Sequence, residues 1–218
     1  MKPAQAKLPR LYAVLDASCF ADDAALFAHA RDLEAGGVTL MQYRNKQGSP
    51  RQMLAHARGL KRMFSMESSG VTLIMNDRAD LCLAAEFDGV HTGQDDLSPE
   101  AVRRVIGEEM WLGVSTHNPG QVLAAELTDA TYIAIGPVFA TGSKENPDPV
   151  VGIEGVRAAR ALTTKPLVAI GGITRANFRE VLAAGADSVA VISDLLRKPG
   201  MSAREFLTRE GLGRIPRG

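Results

Sequence analysis

Short runs of β-branched and apolar residues, each followed by a longer amphipathic run, recur eight times along this chain. The candidate strands begin near Leu11, Val38, Val71, Asp88, Trp111, Thr131, Leu167 and Asp187. One unit spans about 25 residues, enough for a strand and a crossover helix. The helical runs are Asp22–Ala35, Pro50–Met66, Ala79–Ala85, Pro99–Ile106, Gln121–Glu126, Ile153–Leu162 and Arg175–Ala183, with Met201–Leu212 as an eighth. The strands are apolar on both faces and no hairpin signal joins any two of them. That is the pattern of a parallel sheet covered by helices. It predicts an α/β chain folded as a single-domain (β/α)8 TIM barrel over residues 1–218, with 1–10 a tail and 197–218 a C-terminal helix and tail. A doubly wound open sheet has the same alternation but rarely needs eight strands.

Punctuation agrees with these elements. Ser49-Pro50, Ser98-Pro99 and Asn118-Pro119 each set a capping side chain before a proline whose missing N–H costs nothing in a first turn. Gly36-Gly37 and Gly185 sit where a left-handed residue ends a helix. The longest irregular stretch is Ala140–Gly152, and a loop of that length in a barrel is usually functional or mobile.

Composition excludes several function classes. The 25 basic and 25 acidic side chains cancel, which removes the basic footprint of a general nucleic-acid binder. A hydrophobic fraction of 45% supports a large core. No apolar run reaches the roughly 18 residues of a membrane span. The polar start, Met1 to Arg10, and Asp16 within the next apolar run do not make a signal peptide, so a cytoplasmic chain is expected. Cys19 and Cys82 form no disulfide framework, and no Cys/His pair has zinc-ligand spacing.

A barrel of this kind carries its active site on the loops after the strands. Strand two ends in Gln42, Arg44 and Lys46, which alternate so that one face holds all three. Leu40 precedes them in register, so that face is the barrel interior, where two cations need an anion. Asn76 and Asp77 end strand three; His91, Gln94, Asp95 and Asp96 follow strand four; Ser115 and His117 follow strand five. Thr141, Ser143 and Lys144 follow strand six. Gly171-Gly172 after strand seven, and Ser193 at a helix start after strand eight, match the phosphate cradle of this architecture. Taken singly, Gly-Gly is a tight turn, Asp77 a helix cap and Asp96 an Asx turn before Pro99. Together the residues describe two anion sites: a single-phosphate cradle at strands seven and eight, and a cation- and carboxylate-rich site at strands two to four. Asp77 and Asp96 are the metal candidates, because magnesium is held by one or two carboxylates plus substrate phosphate oxygens. The pairing suits the joining of a phosphorylated molecule to the residue of a diphosphate.

Eight motifs in order carry a resemblance to the thiamine phosphate synthase family from about Leu11 to Leu196: LYAVLD (Leu11–Asp16), MQYRNK (Met41–Lys46), IMNDRADL (Ile74–Leu81), DGVHTGQDDL (Asp88–Leu97), GVSTHN (Gly113–Asn118), YIAIGPVFATGSK (Tyr132–Lys144), VAIGGI (Val168–Ile173) and VAVIS (Val189–Ser193). The resemblance implies a Mg2+-dependent transferase that couples hydroxymethylpyrimidine diphosphate to thiazole phosphate and releases pyrophosphate. It further implies a dissociative mechanism in which diphosphate leaves first. By the same resemblance Gln42, Arg44, Lys46 and Asn76 contact the pyrimidine diphosphate, and Asp77 and Asp96 hold the metal. Ser115 and Lys144 hold the diphosphate, with Arg44 and Lys46 completing the catalytic set. Thr141 and Ser143 face the thiazole phosphate, which Gly172, Ile192 and Ser193 bind. The implied partners are small phosphorylated substrates, with neither nucleic acid nor membrane; a homo-oligomer is compatible with the reading.

Two positions depart from the family pattern. Asn45 stands where the family usually has Glu, and Gly142 interrupts a usual Thr-Ser-Thr-Lys loop. Asn45 points away from the Gln42 face or lies at the rim, so a packing effect is expected there. Three other functions use the same fold. A related thiazole tautomerase would rely on a histidine at His117 and lacks most of the diphosphate apparatus. A non-catalytic binder of thiazole phosphate has no use for two site aspartates. An isomerase or decarboxylase needs an inner-strand base, for which only Lys46 and His117 are available.

Overall fold

The computed structural model describes residues 8–66, 69–142 and 148–208. Eight parallel strands, β1 (Leu11–Asp16), β2 (Leu40–Arg44), β3 (Thr72–Asn76), β4 (Gly89–Thr92), β5 (Trp111–Thr116), β6 (Tyr132–Ile135), β7 (Leu167–Ile170) and β8 (Ser188–Val191), close in sequence order into a barrel. The closing pair sets Leu11 beside Val189 and Ala13 beside Val191. The helices α1 (Asp23–Ala35), α2 (Pro50–Met66), α3 (Ala79–Ala84), α4 (Pro99–Ile106), α5 (Pro119–Glu126), α6 (Gly152–Leu162), α7 (Phe178–Ala183) and α8 (Pro199–Leu207) alternate with the strands. The structure is therefore the barrel that the strand count predicts, and the open sheet is excluded.

Two apolar cores follow from the two faces of the strands. Tyr12, Val14, Leu40, Ile74, Tyr132, Ala134, Val168 and Ala190 fill the interior. Their neighbours at odd spacing, such as Ala13, Met41, Leu73 and Ile133, face the helices. Burial on both faces leaves no polar side to the strands, which explains why they read as unbroken apolar runs. Ser49, Ser98 and Asn118 cap their helices as their sequence positions suggest: Ser49 Oγ accepts from Gln52 N–H at 3.2 Å, Ser98 Oγ from Ala101 N–H at 3.3 Å and Asn118 Oδ1 from Gln121 N–H at 3.0 Å.

Several boundaries differ from expectation. At the end of α1 only Gly37 is left-handed (φ 96°), whereas Gly36 has helical φ. Gly36 is small for a packing reason, since a Cβ there would come within 2.7 Å of the Gly200 carbonyl oxygen. Helix α7 starts at Phe178 rather than Arg175, because Thr174–Asn177 closes a turn and the Arg175 N–H donates to Asp194 Oδ2 at 2.8 Å. Helix α8 starts at Pro199 rather than Met201 and ends at Leu207. After β8 the expected helix N-terminus at Ser193 is replaced by one 3-10 turn, Ser193–Leu195. The reason is Pro199: a residue before proline is kept out of the right-handed helical region, and Lys198 adopts φ 52°, so no helix runs from Ser193 into α8. No helix among the described residues is long and apolar enough to cross a membrane.

Candidate active site

The strand ends surround a cavity of about 460 Å³ at the C-terminal rim of the barrel. It is lined by every expected site residue that is described: Gln42, Arg44, Lys46, Asn76, Asp77, Asp96, Ser115, Thr141, Gly172, Ile192 and Ser193. Ser143 and Lys144 lie outside the described residues.

One side of the cavity is built from charge. Arg44 ends β2 opposite Asp16 at the end of β1, and its guanidinium donates to the Asp16 carboxylate, which is buried. Lys46, two residues beyond the strand, donates from Nζ to Asp77 Oδ2 at 2.5 Å. Asp77 is held in the left-handed region at φ 61°, and its own N–H donates to the His91 carbonyl at 2.8 Å. That conformation is costly for a residue other than glycine and marks a position fixed by its surroundings. Asp77 caps nothing: the residue before α3 is Arg78. Its carboxyl meets that of Asp96, which also accepts from the Gly93 N–H at 2.9 Å. Burial, and then the contact with Asp96, push the Asp77 pKa up to about 6 against the pull of Lys46. Burial would raise Asp96 as well, but Asp77, Gly93 N–H and Lys46 hold it below its ordinary value. Two carboxyls pushed apart in this way behave as a pair that shares one proton.

Such a pair also fits a divalent cation. Among the described residues no group of three or more His, Cys, Asp or Glu converges as a protein-only metal cage. A hard-oxygen donor set of two carboxylates, open to a cavity, is the arrangement magnesium uses when water and substrate oxygens complete its shell.

The other side is built from backbone. Gly171 (φ 100°) and Gly172 (φ 63°) line the cavity, and a Cβ on either would clash, at 2.5 Å, with Pro137 or the Ala140 carbonyl oxygen. The Gly171 carbonyl accepts from Phe139 N–H at 2.9 Å and the Gly172 carbonyl from Asn177 Nδ2 at 3.1 Å. In a trans peptide C=O and N–H point in opposite directions, so the amides of Gly172 and Ile173 face away from those partners. Arg175 ties this loop to the next one through Asp194, Nε to Oδ2 at 2.9 Å.

Below both lies a polar floor of which sequence reasoning names only His91, among the residues at the end of strand four. Tyr12, Tyr132 and His91 are buried, and burial lowers the His91 pKa to about 4, so the ring is neutral. Sequence reasoning treats Asp16 only as a break in an apolar run and misses its place in the site. Period-two alternation from Tyr12 through Val14 carries it to the inner face beside Arg44, a signal present in LYAVLD. His117 lines the cavity, with Nδ1 2.5 Å from the Gly136 carbonyl oxygen and Nε2 3.4 Å from Asp148 Oδ2. Asn45 points away from the cavity, as alternation requires. Its Oδ1 accepts from Gln47 and Gly48 N–H at 3.2 and 2.7 Å, and its Nδ2 donates to Tyr43 Oη at 3.1 Å. Cys82 is buried, and burial pushes its thiol up to about 12, which leaves it inert.

Comparison with known proteins gives consistent results. A sequence model of the family described as thiamine monophosphate synthase matches residues 11–195. The thiamine-phosphate synthase of Koribacter versatilis is 62% identical over 204 residues, covering 92% of this chain and 95% of that protein. The thiamine-phosphate synthase of Chloroflexus aurantiacus is 42% identical over 197 residues, covering 89% and 88%. Among solved structures, the thiamine phosphate pyrophosphorylase of Pyrococcus furiosus superposes with a TM-score of 0.80 at 30% identity, covering 93% of this chain and 95% of its own.

Proposed function

The chain belongs to the thiamine monophosphate synthase family, and from that membership we propose that it couples hydroxymethylpyrimidine diphosphate to thiazole phosphate, or its carboxylate, to give thiamine phosphate and pyrophosphate. The observation that carries this reading is one cavity with two unlike anion-holding sides, charged at β2–β4 and backbone-built at β7–β8. In the reaction the bond from the pyrimidine methylene carbon to the diphosphate oxygen breaks, and both electrons leave with the oxygen. With thiazole phosphate, the thiazole nitrogen then supplies the pair for the new carbon–nitrogen bond, so no proton has to move and no general base is needed. With the carboxylate, the carboxyl group must also leave as CO2 and a proton from water must take its place on the ring carbon.

Catalysis reduces to stabilising the departing charge and holding the nucleophile close. Arg44 and Lys46 serve the first task, exchanging Asp16 and Asp77 for diphosphate oxygens, with Ser115 and Lys144 as further donors. Gln42 and Asn76 orient the pyrimidine. Thr141 and Ser143, together with the amides around Gly172, Ile192 and Ser193, hold the thiazole phosphate. Asp77 and Asp96 would hold Mg2+, which supplies Lewis-acid neutralisation of the leaving diphosphate. We assign the reaction to the cytoplasm, where the free thiols Cys19 and Cys82 would persist.

The test is a coupling assay with both precursors and a chelator control. Thiamine phosphate should form only when magnesium is supplied. Thiazole aromatisation without coupling would reassign the cavity to His117 chemistry.

A further inference from the structure

The floor of the cavity is a continuous chain of hydrogen bonds crossing the barrel. Gln42 Nε2 donates to Tyr12 Oη at 2.9 Å, and Tyr12 Oη lies 2.8 Å from Tyr132 Oη. Tyr132 Oη lies 3.0 Å from His91 Nδ1, and His91 Nε2 lies 2.8 Å from Ser115 Oγ. Four links join five strands, and each link holds one hydrogen. The barrel leaves room for this arrangement: a Cβ on Gly113 would come within 2.1 Å of the Tyr132 ring and 2.5 Å of His91 Nδ1. Tyr132 and His91 stack at 5.6 Å between ring centroids, with 24° between their planes, and Tyr12 meets Tyr132 edge-on at 5.9 Å.

The hydrogens can be assigned along the chain by counting donors. Gln42 donates to Tyr12, and Tyr132 Oη is then the acceptor that the Tyr12 hydroxyl hydrogen meets. The Tyr132 hydrogen then goes to His91 Nδ1, and the neutral imidazole carries its single hydrogen on Nε2, directed at Ser115 Oγ. Ser115 accepts there, so its own hydroxyl hydrogen is left for the cavity that it lines. Reversing any one link would put two hydrogens, or none, in the next. The chain turned wholly around would make Ser115 spend its hydrogen on His91 and present lone pairs to the cavity, the wrong polarity for an anion.

We propose that Tyr12, Tyr132 and His91 are positioning residues whose directional hydrogen-bond chain sets Ser115 as a donor toward the departing diphosphate. The inference deepens the proposed function and rests on its assignment of Ser115 to that group. Preorganised donors of this kind act where charge develops and cost no reorganisation during the step. A buried polar chain that is fully satisfied also gains from its low-dielectric surroundings.

The experiment has two arms. In 15N-labelled protein the His91 imidazole should be the Nε2–H tautomer, seen by long-range nitrogen–proton couplings without any assay of activity. In the kinetic arm, Tyr132→Phe removes one oxygen from the chain and keeps the ring. It should lower kcat roughly three- to tenfold, the worth of one hydrogen bond, while leaving the KM for thiazole phosphate unchanged. In a Ser115→Ala background the same substitution should cost nothing further, a non-additivity that simple loss of packing would not produce. Tyr12→Phe gives the same readout should Tyr132→Phe fold poorly. An Nδ1–H tautomer in the wild type, or losses that simply add, would overturn the proposal. Absence of coupling by the wild type would instead strike the proposed function, with the tautomer still judging the chain on its own.

Discussion

The two sides of the cavity are built by opposite means. At β2–β4 the charged side chains are already engaged within the protein: Arg44 with Asp16, Lys46 with Asp77, Asp77 with Asp96. Binding there is an exchange of partners, open to competition from protons, salt and metal. At β7–β8 the lining is largely backbone, its direction set by Gly171, Gly172 and the contacts of their carbonyls with Phe139 and Asn177. Gly171, Gly172, Ile192 and Ser193 carry no charged side chain. The charged side suits a leaving group whose charge grows during reaction. The backbone side suits a phosphate that only has to be held.

The largest break in this comparison should come from Asp77→Ala. The coupling rate at saturating substrates should fall by roughly 10²- to 10³-fold, as expected when a main charge-stabilising element is lost. Thiazole phosphate affinity by calorimetry should change less than about twofold, because such distant groups contribute independently. A matched loss on both sides would mean that they are not separate.

Acid should act on the same side. The Asp77 carboxyl sits above its ordinary 3.8, at about 6, so between those values the folded chain holds a proton that the unfolded chain has released. This group's contribution to stability is therefore complete below pH 3.8 and is lost as pH rises through about 6. Magnesium needs the ionised form, so its affinity should move the other way, weakening about tenfold per pH unit below that point. Magnesium titrations at pH 5 and 7.5 would read this.

A smaller effect is expected from Gly172→Ala, which forces a Cβ into a left-handed residue 2.5 Å from the Ala140 carbonyl oxygen. The KM for thiazole phosphate should rise about fivefold and stability fall by about 1–3 kcal/mol. The magnesium dependence should stay where it was. The smallest effect belongs to Asn45→Ala, which removes the acceptor of the Gln47 and Gly48 N–H groups. The loss of about 1 kcal/mol should lower Tm by a few degrees and leave kcat/KM within about twofold.

What the sequence made legible was whatever depends on period and local chemistry. Parallel strands buried on both faces announce themselves as apolar runs, and Gln42-x-Arg44 reveals its inward face by alternation alone. Caps at Ser49, Ser98 and Asn118 were readable because they are settled within three residues. What stayed hidden depends on barrel closure. Arg44 meets Asp16 only through the β1–β2 register, and Tyr12, Tyr132 and His91 meet only because strands from opposite sides of the barrel point into one interior. The turn at Ser193 misled for a different reason, since its geometry is dictated by a proline six residues later. Asp77 and Asp96 were recognisable as acids at strand ends, but their contact with each other was not.

The central claim is that the divalent ion belongs to the diphosphate side. Manganese, which favours the same oxygen ligands, can stand in for magnesium while phosphorus relaxation is followed with pyrophosphate and thiazole phosphate bound together. The pyrophosphate signals should relax much faster than the thiazole phosphate signal. Equal or faster relaxation of the thiazole phosphate would place the ion on the wrong side of the cavity and contradict the account.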